Sequence, residues 1–358
     1  KIISDGRANA IWTNGYGGIA EGIAKMCFGN KIGFEFTSHL SGEELFRPCY
    51  GAFIIELNGA AADGENVIGK TIEDYKILCR DYTVSLDNLQ RVWEAKLEPV
   101  FPCRIKTTDT TPETYSNANR IQRSASIKVA QPRVLIPVFP GTNCEYDTAR
   151  AFERAGAKAE TIVIRNLSAS AIEESVNVFE RAIKQSKIIM LPGGFSGGDE
   201  PEGSGKFITA FFRNAKIKDA VHDLLQNRDG LMLGICNGFQ ALVKLGLVPF
   251  GEIIDMADDA PTLTFNTIAR HQSMMVTTRI ASNKSPWLYG CEVGDIHTIP
   301  ISHGEGRFVA PDRIIQQMAN NGQIATQYVD LDGNPTMDIR YNPNTSVEAI
   351  EGITSPDG

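Results

Sequence analysis

The chain has 358 residues, 42% of them hydrophobic and 22% charged, with a formal net charge of −8. That balance suits folded domains and excludes global disorder, a collagen-like repeat and, because no apolar run nears the roughly 20 residues that cross a bilayer, a membrane-embedded helix. The acidic balance argues against nucleic acid or anionic lipid as a partner, and the length predicts two or three domains.

From the N-terminus, Gly15, Gly17 and Gly18 feed a helical stretch over 19–26. Strand-like segments at 33–37 and 52–57 and a helical stretch over 85–97 complete a small α+β domain, residues 1–103. Apolar periodicity lapses over 104–133, where Thr107, Thr108, Thr110 and Thr111 precede Pro112. This segment holds 6 Lys+Arg against 2 Asp+Glu, whereas 1–103 holds 10 against 14 and 134–358 holds 19 against 27. A solvated linker, locally +4, between two acidic domains is the expectation.

Beyond the linker, strands and helices alternate. Strand 134–139 leads to a helix capped by Asp147, with Phe152 and Ala155 facing inward and Gly156 ending it. Strand 161–164, helix 171–184, strand 187–191, helix 206–225 and strand 231–235 follow. This order predicts an α/β domain over 134–358 built on a parallel sheet. Short β segments after 253 predict an antiparallel extension.

Seven cysteines, at 27, 49, 79, 103, 144, 236 and 291, include no C-x-x-C pair and read as free thiols of a reducing cytoplasm. The chain opens at Lys1 without an initiator Met or apolar leader, so a piece of a longer polypeptide is expected.

The sharpest chemical feature is Gly230-Leu-Met-Leu-Gly-Ile-Cys-Asn-Gly-Phe-Gln240. An apolar strand runs into Cys236, and a helical pattern starts just beyond it. A nucleophile on such an elbow needs small residues two positions to either side, because strand and helix pack closely there, and Gly234 and Gly238 supply them. A helix N-terminus also favours the thiolate. The plainer alternative is a small core cysteine. Cys144, also between a strand and a helix, has Thr142 and Tyr146 at those flanks and is a poor nucleophile candidate.

A second loop, Pro192-Gly-Gly-Phe-Ser-Gly-Gly198, reaches the same carboxyl edge of the sheet. Its Gly194 N–H, with that of Asn237, is the expected oxyanion hole. Two other glycine patterns fail. Around Glu202-Gly-Ser-Gly-Lys206 the first phosphate-loop position is Glu200 and Phe207 replaces the Mg²⁺-binding hydroxyl. Gly15-Tyr-Gly17 lacks the βαβ unit of a dinucleotide site.

Amide cleavage by a thiolate also needs a base oriented by a carboxylate. Among histidines 39, 222, 271, 297 and 303, His39 lies in the other domain and His222 on a face read as solvated. His303 and Glu305 fall on one side of a strand end and form the one candidate pair read from the residues.

These pieces resemble the phosphoribosylformylglycinamidine synthases. The resemblance rests on Pro140-Gly-Thr-Asn-Cys144, Pro192-Gly-Gly-Phe-Ser196, Gly234-Ile-Cys-Asn-Gly-Phe-Gln240 and Ser302-His-Gly-Glu-Gly-Arg307, and in the first domain on Gly17-Gly-Ile-Ala-Glu-Gly-Ile-Ala-Lys-Met26 and Leu97-Glu-Pro-Val-Phe-Pro102. It implies roughly the last quarter of the large single-chain form: an aminoimidazole-ribonucleotide-synthetase-like C-terminal domain, a linker, and a class I glutamine amidotransferase domain truncated at its C-terminus. The implied reaction converts formylglycinamide ribonucleotide, glutamine and ATP to the formylglycinamidine, with ammonia passed internally from glutaminase to synthetase. Cys236 matches the family nucleophile. Gln240 and the loop at Gly194 match positions that shape the glutamine and oxyanion site, and the resemblance implies that Ser302, His303 and Gly304 line the glutamine pocket. The family's base and acid lie in an H-x-E motif after a segment like Gly352-Ile-Thr-Ser-Pro-Asp-Gly358, so they are expected beyond Gly358 and the isolated chain is expected to turn over poorly. No cofactor is expected in the chain itself, with ATP and Mg²⁺ used by the rest of the enzyme. Glutamine and the missing synthetase domains are the expected partners. A cysteine hydrolase or peptidase on the same elbow, and a non-catalytic scaffold, are the alternatives.

Overall fold

The computed structural model describes residues 1–80, 82–102, 105, 110–120, 129–198 and 204–358. The chain divides into two compact units, Lys1–Cys103 and Arg104–Gly358.

The first unit runs β1 (Ala8–Thr13), α1 (Gly18–Asn30), β2 (Gly33–Phe36), α2 (Gly42–Phe46), β3 (Phe53–Leu57), β4 (Gly69–Ile72), β5 (Lys76–Cys79), β6 (Tyr82–Ser85) and α3 (Leu86–Ala95). Strands β1 and β3 pair antiparallel, and a four-stranded sheet has the order β4-β2-β5-β6. Ile23, Cys27, Phe34, Ile54, Ile77 and Leu86 close the core. Strands β4 to β6, four residues each, are too short for an alternating pattern to stand out. At the start of α1 the Glu21 carboxylate accepts from the Gly17 N–H (2.9 Å) and from Lys25 (2.5 Å). One backbone amide that a phosphate at this helix start would use is thus already paired.

The second unit begins with β7 (Arg133–Val138), α4 (Glu145–Arg154), β8 (Lys158–Val163), α5 (Ala169–Gln185), β9 (Ile188–Leu191), α6 (Lys206–Phe212), α7 (Ala215–His222), β10 (Leu231–Gly234) and α8 (Asn237–Leu245). Its first sheet is wholly parallel, in the order β10-β9-β7-β8. Such strands are buried on both faces and therefore read as continuous apolar runs, as Val134, Leu135 and Ile136 do at 0% exposure. Phe139, Phe179, Phe211 and Phe212 meet edge to face beneath the helices.

After a kinked turn, α9 (Leu247–Phe250), come β11 (Thr262–Thr264), β12 (Gln272–Ile280), β13 (Ile296–His303), β14 (Arg307–Val309), α10 (Asp312–Asn320), β15 (Ile324–Tyr328) and β16 (Ile350–Ile353). These build an antiparallel sheet, β13-β12-β15-β16, and a separate β11–β14 pair.

Three local expectations are corrected. Helix α4 starts at Glu145, with Cys144 at its cap; Asp147 sits inside the first turn, where its charge meets the helix dipole without capping, and Ala155 is exposed at the C-cap. The single helix expected over 206–225 is α6 and α7 followed by a π turn at Asp223–Asn227, because the Asn214 side chain accepts from the Lys216 N–H and starts a new helix. Within the expected linker, Tyr115 is buried against the second unit, not solvated. Its N–H donates to Gln327 Oε1 (3.0 Å) and its carbonyl accepts from Arg279 (2.8 Å). Residues 106–109 and 121–128 of that segment lie outside the described residues, as do Glu200 and Glu202. No helix of the described residues is long and apolar enough to cross a membrane.

Candidate active site

Strand β10 ends at Gly234, in register with Leu191 at the end of β9, so both following loops emerge at one edge of the sheet. The turn from β10 into α8 puts Cys236 at φ 53°, ψ −110°, a conformation that costs a non-glycine residue of order 1–3 kcal/mol and persists only where the surroundings enforce it. Close packing enforces it. A Cβ at position 238 would lie 2.0 Å from the Leu191 carbonyl oxygen, and one at 234 would lie 2.6 Å from the Gly238 carbonyl oxygen. The half-buried Cys236 caps α8, and its Sγ lies 3.8 Å from the Ser302 carbonyl oxygen.

The 192–198 loop stands against this elbow. A Cβ at Gly193 would be 3.4 Å from that of Cys236. Gly194 has φ 136°, and a Cβ there would meet the Gly141 carbonyl oxygen at 2.6 Å, so only glycine lets the loop pass so near 140–142. The loop is held by Phe195 N–H to Gly141 O (2.9 Å) and Gly197 N–H to Pro140 O (2.7 Å), bonds that do not use the Gly194 N–H.

Buried amides tie the motifs together. Asn237 Oδ1 accepts from the Ser196 N–H (3.2 Å), Asn237 Nδ2 donates to Gln240 Oε1 (3.0 Å), and Gln240 Nε2 donates to the Glu305 carbonyl (2.7 Å). Thus Gln240 is a strut between the elbow and the 302–307 segment. Gln240→Ala strands two buried partners and is expected to destabilise the fold by about 2 kcal/mol in urea unfolding. An unchanged unfolding midpoint would contradict the strut.

Ser302 and Gly304 flank the elbow through β13 and the turn after it. His271 Nε2 and Ser302 Oγ lie 2.9 Å apart, and the exposed Phe195 ring leans over His271, centroids 6.4 Å apart. Asn266 shapes the turn by donating to the His303 carbonyl (2.9 Å) and accepting from the Gly306 N–H (3.1 Å). Sequence reasoning missed both His271 and Asn266, since neither belongs to a motif.

His303 and Glu305 are not brought together as a base and its orienting acid. The His303 ring packs over Gly306, where a Cβ would meet its Nδ1 at 2.2 Å, and that buried nitrogen has no hydrogen-bond partner. Glu305 instead accepts from the Ser204 N–H (3.0 Å). Burial, with His271 nearby, pushes the His303 imidazole down to about 4 from 6.5. The folded state thus holds a neutral ring where the unfolded chain takes a proton. Stability is full above about pH 6.5 and falls progressively toward pH 4, by about 3 kcal/mol at the low end. Unfolding midpoints measured against pH should show this decline, and His303→Gln should flatten it. His222, expected to be solvated, accepts from the Ile253 N–H (3.0 Å).

Cys144 also reaches this edge, since its Sγ would lie 3.5 Å from a Cβ at Gly193. Burial and the carboxylates of Asp147 and Glu145 push its thiol up, the reverse of what a nucleophile requires.

Residues 131–358 match the family described as CobB/CobQ-like glutamine amidotransferase domain. The chain is 37% identical over 236 residues to phosphoribosylformylglycinamidine synthase subunit PurQ of Methanococcus maripaludis strain C7, covering 65% of this chain and 79% of that protein. It is 32% identical over 221 residues to PurQ of Aquifex aeolicus, covering 62% and 83%. Among solved structures, PurLQS from Thermotoga maritima matches at 25% identity and a TM-score of 0.43, covering 62% of this chain and 80% of that one.

Proposed function

The chain belongs to the CobB/CobQ-like glutamine amidotransferase domain family, and on that premise we propose that it is the glutaminase part of a phosphoribosylformylglycinamidine synthase of purine biosynthesis, releasing ammonia from glutamine through Cys236. The observation that carries the reading is Cys236 itself, at φ 53° on the N-terminus of α8 and facing the 192–198 loop.

In this reading the Cys236 sulfur attacks the glutamine side-chain carbonyl. The C–O π electrons move onto oxygen, where the N–H groups of Gly194 and Asn237 stabilise the oxyanion. Collapse expels ammonia and leaves a γ-glutamyl thioester, which water cleaves to glutamate and the free thiol. The proton for the leaving amine comes from a group other than the His303–Glu305 pair, because His303 and Glu305 do not bond each other and Nδ1 of the former is buried. Ser302, His303 and Gly304 then line the glutamine pocket. The motif-linking amides of Asn237 and Gln240 hold elbow and pocket in register.

The finer assignment is a single polypeptide in which residues 1–103 form the C-terminal part of an aminoimidazole-ribonucleotide-synthetase-like domain. Its support is that the family match starts at residue 131 while an α+β unit precedes it. ATP and Mg²⁺ serve the synthetase reaction, and no described residue is assigned to them. The partners proposed are glutamine and the remaining synthetase domains.

A glutamine-mimicking electrophile tests the reading. It should alkylate Cys236, as located by peptide mass, and free glutamine should slow that labelling. Alkylation that glutamine leaves unchanged would favour a general cysteine hydrolase.

A further inference from the structure

Away from the elbow, Cys291, Asp295 and His297 form a group of donors on one short segment, all of their ligand atoms within 4.8 Å of one another. We propose that they bind a divalent cation of the zinc class through one thiolate, one carboxylate and one imidazole, with water completing the shell. The site serves no step of the glutaminase chemistry above and does not rest on it.

The geometry suits such an ion. Cys291 Sγ and His297 Nε2 stand 4.0 Å apart. Sulfur and nitrogen bound to one zinc at about 2.3 and 2.0–2.1 Å in a tetrahedron are about 3.5 Å apart, so closure needs about half an ångström of side-chain movement. The donors are mixed in the manner that selects zinc-like ions over the harder magnesium and calcium, which prefer oxygen alone.

The backbone also presets them. The Glu292 N–H donates to Asp295 Oδ2 (2.8 Å), which fixes the carboxylate and leaves Oδ1 for a ligand. Gly294, at φ 100°, turns the chain so that its N–H meets the Ile280 carbonyl and the Ile280 N–H meets the Asp295 carbonyl, each at 2.9 Å. The imidazole of His297 projects from β13, the edge strand of its sheet. A thiolate and a carboxylate match the two charges of the cation. Two guanidiniums stand by the segment and both are engaged: Arg120 donates to the Cys291 carbonyl (2.8 Å) and pairs with Glu292 (3.0 Å), and Arg279, beside Gly294, donates to the Tyr115 carbonyl (2.8 Å) and to Ser116 Oγ (3.0 Å). Coordination releases the thiol proton to solvent, so binding strengthens as pH rises. Because β13 runs from this segment to Ser302 and His303, an ion here would brace the strand that walls the elbow.

Titration of the full chain with Co²⁺ alone tests the site. One equivalent should produce a thiolate-to-cobalt charge-transfer band, which Zn²⁺ displaces. Cys291→Ser should remove the band. His297→Ala should weaken binding by at least about tenfold, since even partners outside the coordination shell are worth 10–100-fold. Cys236→Ala should keep the band, which separates this site from the elbow thiol. The apo circular dichroism of the variants should match that of the parent chain, and Asp295→Asn, weakened to a similar degree, serves if one of them fails to fold. The absence of a band at one equivalent, its survival in Cys291→Ser, or its loss in Cys236→Ala would overturn the proposal.

Discussion

Replacing Cys236 with alanine is expected to cut glutamine-dependent amidine formation by the complete enzyme by about 10⁴-fold or more, while synthesis from added ammonia persists. The size follows from the role, since without sulfur no thioester forms and water alone must attack an amide. The selectivity follows from the architecture, because Ala fits wherever Cys fits and leaves the elbow backbone intact. Cys144→Ser is the matched control. That thiol reaches the same sheet edge but is pushed up by burial, Asp147 and Glu145, and its loss should leave glutamine use within a few-fold of the parent. Glutamine-dependent synthesis surviving in Cys236→Ala, or lost equally in Cys144→Ser, would move the nucleophile elsewhere.

The largest structural effect is expected at Gly238. An alanine Cβ there would meet the Leu191 carbonyl oxygen at 2.0 Å and the Leu191 Cβ at 2.7 Å, so α8 must back away from β9. Backbone cannot rotate aside as a side chain can. A cost of about 3 kcal/mol is expected, the upper part of the range for overpacking. For a unit of this size that lowers the melting temperature by about 6–12 °C. Labelling at Cys236 should fall with it, because the strained φ is enforced by the same packing. Gly29→Ala in α1, with nothing within 4 Å of the added carbon, should instead be neutral or stabilising by about 0.5–1 kcal/mol. A melting temperature unchanged by Gly238→Ala would mean that the close approach is not required.

The long elements and the elbow were legible because their signals are local. Strands buried on two faces must be apolar throughout, and a turn between strand and helix must have glycine where backbones touch; both demands appear in consecutive residues at 134–136 and 234–238. Short strands such as β4 and β6 left no such trace, because four residues, none of them buried, carry little pattern. The segment 110–120 misled for a related reason: polar composition predicts solvent, whereas Tyr115 and Asn117 are held by partners far along the chain, at Gln327, Arg279 and Ala281.

The sequence by itself determined the parallel sheet, the cysteine at the elbow and its glycine neighbours, since each is a constraint among residues close in the chain. Only the tertiary structure decided that Gln240 braces Glu305, that His303 turns away from a base's task, and that Cys291, Asp295 and His297 converge. Those outcomes depend on which backbones fold back on one another, and hydrogen bonds and burial across 65 positions of sequence have no period to read.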